Sequence, residues 1–504
     1  MRLVKKNIVA NILGGAWLAL TSIIFIPIYI KLLGVAAWGL IGIFSTLQIV
    51  LSLLDMGLSN TLNREMARLS EVHGSGQAMR NLLRSLEIVY WWLALFVGLT
   101  LVFLAPLIAK YWINTDSLPI TIVTGSLSLM SVIIALQLPI GLYSGGLMGL
   151  QKQVVLNVIN ILISTIRSLG TVLVLWLVSP TIYAFFLWQI LMSITNLVLV
   201  IFYSWKYLPT SEHKASFNKD IIKSIWRFAA GISGISVLGI MLTQVDKIIL
   251  SKLISLNDFG YYILASTVAG GIGRIGAPIF NGIYPKFTQL VASGNESELI
   301  RIYHKTCELV SVLVLPVAII IALFSYDLLL LWTHNPLIAE RSHLAVSILI
   351  CGTALNCLMN APYALQLAHG WVRLALLKNT ISIIIFVPLI IYLTLKYGTT
   401  GAAFSWLILN IADFVFEINM MHTKLLRNEK WRWYLRDVSI PLAASVLIGV
   451  LSKGLIEVFG TSGTSIYLLA LISSITFGVT LMSVSSTRVV VFNFFLKSPE
   501  FKKG

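Results

Sequence analysis

Charged residues are scarce in this chain. Only 11% of its 504 residues are Asp, Glu, Lys or Arg, whereas an ordinary soluble domain carries about 25%. The mean hydropathy is +0.90, and 58% of the residues are hydrophobic. A soluble fold could not cover its surface with so few polar groups. The composition therefore predicts an all-α integral membrane protein, with lipid as the solvent around most of the chain.

Cysteine and histidine are also rare, and they are not arranged as metal ligands. The three cysteines lie in apolar segments and are expected to be packing residues, and the seven histidines are scattered. The sequence contains no metal-binding spacing, no phosphate-binding glycine loop and no nucleophile elbow. We therefore expect no cofactor, no metal site and no enzyme activity, and we expect any transport to run without ATP hydrolysis.

Apolar runs of about 20 residues, which is the length that crosses a bilayer as a helix, occur fourteen times. They occupy residues 7–30, 35–60, 86–109, 118–142, 154–178, 181–205, 226–250, 259–283, 306–328, 342–366, 378–396, 400–422, 438–459 and 464–487. The first run follows a basic N-terminus but has no small-residue cleavage site after a short core. We predict that it is a retained span and not a signal peptide.

The net charge of +16 would suggest a nucleic-acid partner in a soluble protein. Here the basic residues alternate between loops. If the N-terminus is cytoplasmic, 27 Lys and Arg fall on the cytoplasmic side, 7 on the opposite side and 2 inside spans. Cytoplasmic loops are the ones enriched in Lys and Arg. The distribution predicts both termini in the cytoplasm and no nucleic-acid partner.

Two halves of the sequence resemble each other at an offset of 221 residues. Trp38-Gly39 corresponds to Phe259-Gly260, and Asn60 corresponds to Asn281. Each half holds six predicted spans, so the repeats are parallel and related by an axis along the membrane normal. This predicts an N-terminal lobe at 1–222, a C-terminal lobe at 223–437, and a final helix pair with a cytoplasmic tail at 438–504. Such lobes are expected to enclose a cleft that gives alternating access.

Two arginines fall inside predicted spans. An ionisable residue at bilayer depth costs at least ~2.5 kcal/mol, so it usually faces a cavity or a partner. Arg274 lies among four glycines in span 8, and Arg167 lies in the middle of span 5. A guanidinium forks onto phosphate oxygens and stays charged when desolvated. Both arginines are candidate substrate-binding residues. The alternative is a structural arginine paired with an acid, which for Arg167 could be Asp413 or Glu417.

Acidic residues also lie in or near the spans. Asp413 and Glu417 share one face of span 12 because they are four residues apart. They could bind a coupling cation or proton, or they could neutralise Arg167 or lysines. Asp246 beside Lys247 is a third ion-coupling candidate, or a local pair. Asp55, with Asn60, is either part of a polar cavity mouth or a helix cap.

Several local motifs resemble one known family. They are Lys31-Leu32-Leu33-Gly34-Val35-Ala36-Ala37-Trp38-Gly39, Leu53-Leu54-Asp55-Met56-Gly57-Leu58-Ser59-Asn60, Arg64-Glu65, Gln244-Val245-Asp246-Lys247-Ile248-Ile249-Leu250 and Phe259-Gly260-Tyr261-Tyr262. With the spans, repeat and loops, they resemble the polysaccharide transporter family, the flippases of O-antigen and capsule repeat units. Its superfamily also holds multidrug/toxin extruders and the lipid II flippase.

The resemblance implies a substrate of undecaprenyl diphosphate bearing a short oligosaccharide. The substrate would move from the cytoplasmic to the periplasmic leaflet of the bacterial inner membrane. The resemblance also implies a cationic cavity for the diphosphate, and Arg274 is similar to a span-8 arginine of that type. Membrane lipid is an implied partner, and a glycan polymerase and a chain-length regulator are further candidates.

Three other functions stay open at this point. A cation-coupled multidrug/toxin extruder is the first, although span 1 lacks the acidic residue expected of many such extruders. Span 1 also lacks the arginine that is typical of the lipid II flippase. A membrane-embedded glycan polymerase or ligase is the second, although no large outer loop is present. A scaffold of a glycan-assembly complex is the third, although buried charges argue against it.

Overall fold

The computed structural model describes residues 2–459, 465–484 and 488, and it describes them as helices and connecting turns, with no β-strand in these ranges. The basic tail after residue 488 and both ends of the last predicted span lie outside the described residues. By internal packing the chain divides into a first unit, Met1–Gly260, and a second unit, Tyr261–Gly504. The lobes at 1–222 and 223–437 and the final segment at 438–504 stay a prediction.

The helices of the first unit are mostly long enough to span a bilayer. In chain order they are α1 Arg2–Ile24, α2 Ile26–Leu33, α3 Val35–Leu51, α4 Leu58–Ser70, α5 Gly76–Tyr111, α6 Ile120–Gly149, α7 Gln153–Leu173, α8 Ile182–Tyr207 and α9 Lys219–Leu253. A short 3₁₀ turn, Ser52–Asp55, follows α3, and a π-helical turn, Val174–Val178, extends α7. The unit boundary falls inside the next helix, α10 Leu256–Gly270.

The second unit continues with helices of very different lengths, several of which follow one another after only a short break. They are α11 Gly273–Ala292, α12 Glu296–Leu323, α13 Ser325–Thr333, α14 Pro336–Leu358, α15 Asn360–Ala368, α16 Val372–Lys424, α17 Lys430–Arg432, α18 Ile440–Phe459 and α19 Ile466–Ser483. A π-helical segment, Trp433–Ser439, connects α17 to α18. Helices α18 and α19 pack against each other and against α12.

Twelve described segments are long and apolar enough to cross a membrane, which confirms a multi-pass membrane protein. The difference from the predicted fourteen has two sources. Helix α16 holds both predicted spans 378–396 and 400–422, which meet at Gly398, where φ is 60° and ψ is −140°. Helix α9 contains the predicted span 226–250 but is not among the twelve segments. Every predicted run therefore falls on at least one helix.

Glycine explains the turn inside α16. A positive φ is easily reached only by glycine, so Gly398 can reverse the chain between the first half, 372–397, and the second half, 399–424. A Cβ added to Gly401 would lie 1.9 Å from the carbonyl oxygen of Leu393. The two halves therefore meet closely just after the turn, and they run back along each other. This places residues near 378 beside residues near 413.

A polar ladder fixes the segment between α8 and α9. On α5, Gln77, Asn81 and Ser85 lie on one face because they are four residues apart. The Ser211 hydroxyl donates to Oε1 of Gln77, the Ser216 amide donates to Oδ1 of Asn81 at 2.8 Å, and the Asn218 amide donates to Oγ of Ser85 at 2.9 Å. The connecting segment thus lies along the first three turns of α5, and α9 begins directly after it.

The far end of α9 is also attached near the end of α5. The indole Nε1 of Trp112 donates to Oγ of Ser251 at 3.1 Å, and the Asn114 amide donates to the Ser251 carbonyl oxygen at 3.4 Å. Helix α9 therefore follows α5 and is held at both of its ends. Between these ends it also contacts α3 and α4.

Candidate functional site

Arg167 lies on α7 with its guanidinium among uncharged groups. Its Nη2 donates to the Ser193 hydroxyl on α8 at 3.4 Å, and its Nε is buried without a hydrogen-bond partner. The phenol of Tyr29, whose hydroxyl donates to the Ser168 carbonyl, is a further neighbour. Among the described residues no carboxylate lies within 4 Å of this guanidinium. Arg167 is therefore a largely buried positive charge with spare donors.

A close contact between α7 and α8 sets the backbone at this arginine. A Cβ on Gly170 would lie 2.1 Å from the ring of Trp188, so only glycine lets the indole lie this close to α7. The indole Nε1 of Trp188 donates to the Arg167 carbonyl oxygen at 3.0 Å, and the Thr171 hydroxyl donates to the same oxygen at 2.6 Å. Gln189 in turn donates to the Thr171 hydroxyl at 3.1 Å. The arginine is thus presented from a well-anchored turn.

Arg274 occupies the first turn of α11, just after the break that separates α10 from α11. Its side chain is exposed, and it has an interaction partner. A Cβ on Gly270 or on Gly273 would meet nothing within 4 Å, which agrees with an open wall beside the arginine. Gly276 differs, because its Cβ would lie 2.4 Å from Nδ2 of Asn360 on α15. That glycine serves helix packing, so the open surface is limited to the helix break.

Asp413 and Glu417 share one lysine. Nζ of Lys378, on the first half of α16, lies 3.2 Å from Oδ2 of Asp413 and 3.0 Å from Oε2 of Glu417 on the second half. Gln366 on α15 donates to Oε1 of Glu417 at 2.7 Å, and the Ser382 hydroxyl donates to Oδ1 of Asp413 at 3.4 Å. Of the two roles open to these acids, the structure shows an ion pair with a lysine.

A cavity of about 340 Å³ adjoins this cluster. Lys378, Ser382, Asp413 and Glu417 contribute its polar wall, and the rest of the lining is apolar, including Leu377, Ile381, Ile385, Phe386, Phe416 and Met420. The exposed fractions of the Lys378, Asp413 and Glu417 side chains are 24%, 11% and 2%. The charged groups therefore lie at the base of an otherwise apolar recess.

The remaining predicted positions take part in local interactions. Nζ of Lys247 lies 3.2 Å from both carboxylate oxygens of Asp246 and also donates to the Thr243 carbonyl oxygen, so this is a local pair on α9. Asp55 accepts from the hydroxyl of Ser59 at 2.5 Å and from the hydroxyl of Tyr90. Asp55 thus links the start of α4 to α5.

Asn60 and Glu65 also lie in motifs that suggested the family, and their surroundings differ. Asn60, a predicted cavity residue, is exposed on α4, whereas Glu65 forms ion pairs with two arginines. Arg64 and Arg68 donate to the two carboxylate oxygens of Glu65 at 2.7 and 2.8 Å. Partial burial raises the pKa of Glu65, but the hydrogen bonds from the two arginines outweigh this and hold that pKa below its usual value.

Sequence reasoning missed several residues of the charged clusters. Lys378 is the first residue of the predicted span 378–396, so the sequence alone groups it with the basic residues of the cytoplasmic loops, and Gln366 carries no charge that would attract notice. A second buried cluster was missed entirely. His304 on α12, only 2% exposed, has Nδ1 2.5 Å from Oδ2 of Asp437 and Nε2 2.9 Å from Oε2 of Glu429. The distance along the chain hides this cluster from any local motif.

The family of the chain follows from a direct match. Residues 28–333, more than half of the sequence, match the family described as polysaccharide biosynthesis protein. The chain belongs to this family. The resemblance to polysaccharide transporters, proposed from the sequence motifs, is thereby confirmed.

One curated relative and two solved structures are similar to this chain. The chain is 22% identical to the "Putative O-antigen transporter" of Shigella flexneri over 421 residues, which cover 83% of this chain and 98% of the relative. It is similar in structure to the lipid II flippase MurJ in an inward closed conformation, with a TM-score of 0.69, 14% identity, and coverage of 94% and 98%. An inward-facing multidrug resistance MATE family transporter gives a TM-score of 0.64, 13% identity, and coverage of 81% and 96%.

The structural likenesses show the fold alone at these identities. The fold is an all-α membrane architecture, similar to that of the lipid II flippase and of the multidrug transporter. The predicted fold class is confirmed. The roles of individual residues in this chain stay predictions.

Proposed function

We propose that this protein is a flippase for undecaprenyl-diphosphate-linked oligosaccharide repeat units of the O-antigen or capsule type. It moves them from the cytoplasmic to the periplasmic leaflet by alternating access. The observation that carries the proposal is Arg167, a largely buried guanidinium without a carboxylate partner among the described residues, in a chain of a polysaccharide biosynthesis family. A charge held in this way at bilayer depth is retained where it meets a ligand of opposite charge.

The chemistry of the substrate matches the chemistry of this arginine. A diphosphate is the one strongly anionic part of a lipid-linked oligosaccharide, and it must leave water when the lipid changes leaflet. The guanidinium stays charged when desolvated and donates two parallel hydrogen bonds to phosphate oxygens. Nε of Arg167, which is buried and has no hydrogen-bond partner among the described residues, supplies such a donor. The polyprenyl tail stays in the hydrocarbon region during the movement.

The other predicted residues have subordinate roles in this proposal. Arg274, beside the open glycines of the α10–α11 break, is the second diphosphate contact. Asp413, Glu417 and Asp246 are the ion-coupling residues, and Asp55 and Asn60 border the aqueous path. The chain acts as a transporter and not as an enzyme.

The proposed function also includes the membrane in which the protein lies and the side on which its termini lie. The family supports the bacterial inner membrane, and the excess of Lys and Arg in alternate loops supports both termini in the cytoplasm. A glycan polymerase and a chain-length regulator, which act on the flipped repeat unit, are the partners expected on the periplasmic side.

The alternative is a cation-coupled multidrug/toxin extruder, and the MATE-like fold favours it. The two functions predict different phenotypes. Loss of a flippase removes surface glycan and leaves drug sensitivity unchanged. Loss of an extruder increases the retention of cationic dyes and leaves surface glycan unchanged.

The test is a deletion strain complemented with variants of Arg167. Arg167→Met should abolish surface glycan and accumulate the lipid-linked repeat unit on the cytoplasmic leaflet, while Arg167→Lys should restore part of the export. Arg68→Met, which removes an exposed arginine, is the matched control and should export normally. Normal surface glycan with Arg167→Met at unchanged protein level would refute the role of this residue in binding the diphosphate.

A further inference from the structure

The cluster of Lys378, Asp413 and Glu417 carries one uncompensated negative charge when all three groups are ionised. The side chains of Asp413 and Glu417 are only 11% and 2% exposed, so the charge is largely withdrawn from water. A buried net charge is costly, and removing it requires one additional positive charge. The cluster is therefore built to take up a single cation.

The place of a bound metal cation is already occupied. Carboxylate-bound metal ions gather several oxygen ligands around one point. Here Nζ of Lys378 lies at 3.2 and 3.0 Å from one oxygen of each acid, where such an ion would collect its ligands. A metal ion bound beside this ammonium group would be repelled by it. A proton needs only one carboxylate oxygen and no coordination shell.

Gln366 provides an independent indication of proton binding. Its side chain is fully buried, its Nε2 donates to Oε1 of Glu417 at 2.7 Å, and its Oε1 has no hydrogen-bond partner among the described residues. An ionised carboxylate only accepts hydrogen bonds, whereas a protonated carboxyl also donates one. The amide of Gln366 can satisfy both forms, because it can donate through NH₂ or accept through its oxygen after turning over.

The surroundings of the cluster contain other groups that titrate. Tyr363 on α15 lies within electrostatic reach of Lys378 and Glu417, and Tyr284 on α11 is next to Tyr363. Ser382, on the first half of α16, contributes a neutral hydroxyl to Asp413. A phenol is either neutral or anionic, so neither tyrosine can supply the missing positive charge. The 340 Å³ cavity reaches Asp413 and Lys378, which form part of its wall.

We infer that Lys378, Asp413 and Glu417 together bind one exchangeable proton, and that Lys378 is a built-in counter-ion that excludes sodium from the same place. The proton adds to a carboxylate oxygen and is shared by the pair, so it is not assigned to one residue. The inference rests on the proposed flippase function for its use in transport. The binding of the proton itself is independent of substrate and can be measured without it.

The experiment is infrared difference spectroscopy on the purified full chain in lipid, recorded as the pH is stepped. A protonated carboxyl has its own C=O stretching band, so proton uptake appears as that band. The band should be lost or greatly reduced in Glu417→Gln, and it should be unchanged in Glu340→Gln, which removes an exposed acid of the same unit. A band as strong as that of the unmodified protein in both Glu417→Gln and Asp413→Asn would overturn the inference.

A second experiment tests whether Lys378 excludes sodium from the cluster. Replacing choline with sodium at constant pH should leave the band and the thermal unfolding midpoint of the unmodified protein unchanged. The double variant Lys378→Gln with Asp413→Asn keeps the net charge of the cluster while removing the ammonium group, and sodium should raise its unfolding midpoint. A sodium response in the unmodified protein, or none in the double variant, would overturn the role of Lys378.

These readouts separate the inference from the proposed function. Proton binding without any effect of Glu417→Gln on surface glycan would leave the cluster intact as a proton site and count against its part in transport. Loss of the flippase phenotype from Arg167 variants would not change the infrared result.

Discussion

Gly39 and Gly260 each pack against the helix that carries the other. A Cβ on Gly39 would lie 2.4 Å from the carbonyl oxygen of Leu256, and a Cβ on Gly260 would lie 2.3 Å from that of Val35. Val35 and Leu256 are 221 residues apart, as are Gly39 and Gly260. Positions that correspond in the sequence repeat therefore form one reciprocal contact, as in a two-fold symmetric interface.

Alanine at either glycine should destabilise the protein. In Gly39→Ala and in Gly260→Ala the new methyl group meets backbone, which cannot move aside as a flexible side chain could. Overpacking of this kind costs about 1–3 kcal/mol. We expect a lower midpoint of thermal unfolding in detergent for both variants. Gly15→Ala is the control, since its Cβ would meet nothing within 4 Å. Equal midpoints for all three variants would contradict the close contact.

Gly170→Ala should weaken export without removing a charge. The added Cβ would collide with the ring of Trp188, so the indole must withdraw and its hydrogen bond to the Arg167 carbonyl must break. We expect less surface glycan than in the unmodified strain at comparable protein level. Trp188→Phe, which removes the hydrogen-bond donor but keeps an aromatic ring, should give a milder loss. An unchanged glycan level in Gly170→Ala would show that the position of Arg167 does not matter.

Arg274→Ala should reduce surface glycan if this exposed arginine contacts the diphosphate. Arg274→Lys keeps a positive charge but loses the planar fork, so it should retain part of the export. The measurement is surface glycan by gel and lipid-linked intermediate by extraction, at equal protein level. Lys286→Ala, on the same helix α11, is a control for loss of charge. Undiminished glycan in Arg274→Ala would exclude the docking role.

His304→Ala should be among the most destabilising substitutions in the second unit. It leaves the fully buried carboxylate of Asp437 without its partner. Leaving a buried acceptor without its hydrogen-bond donor costs about 1–3 kcal/mol, and more if the acceptor is charged. Adding Asp437→Asn removes the stranded charge and should recover part of the loss. Thermal unfolding of the single and double variants measures this, and a double variant no more stable than His304→Ala would contradict the pairing.

Asn81→Ala should release the segment between α8 and α9. Oδ1 of Asn81 accepts from the Ser216 amide and also from Nε2 of Gln77, so its loss opens the middle of the ladder. We expect faster limited proteolysis between residues 208 and 218, read by mass spectrometry of the fragments. Ser70→Ala, whose hydroxyl only bonds within its own helix, should be cut at the original rate.

Helices could be predicted from the sequence because hydrophobic length is a local property. Each of the fourteen runs falls on a helix, and the turn expected between spans 11 and 12 lies at Gly398, where only glycine reaches the backbone angles easily. The fourteen predicted spans correspond to twelve apolar segments because α16 holds two of the spans and α9 is not among the twelve. Breaks such as that between α14 and α15 leave no strong local signal.

The partners of the buried charges could not be predicted in the same way. Asp413 and Glu417 were expected to share a face, and they do, because helical spacing determines that. The lysine that pairs with them, Lys378, comes from the other half of α16. This pairing could not be predicted, because Lys378 lies at the boundary of a predicted span and not inside it. The cluster of His304, Asp437 and Glu429 joins residues more than 100 positions apart. Only tertiary packing brings such groups together.

The attachment of α9 at both ends restricts how this helix can move. A rod held near Ser85 at one end and near Trp112 at the other cannot slide lengthwise past α5. It can still twist about its axis or bow sideways between the two attachments. Any rearrangement of α9 during a transport cycle is therefore expected to change its curvature and to leave its register along α5 unaltered.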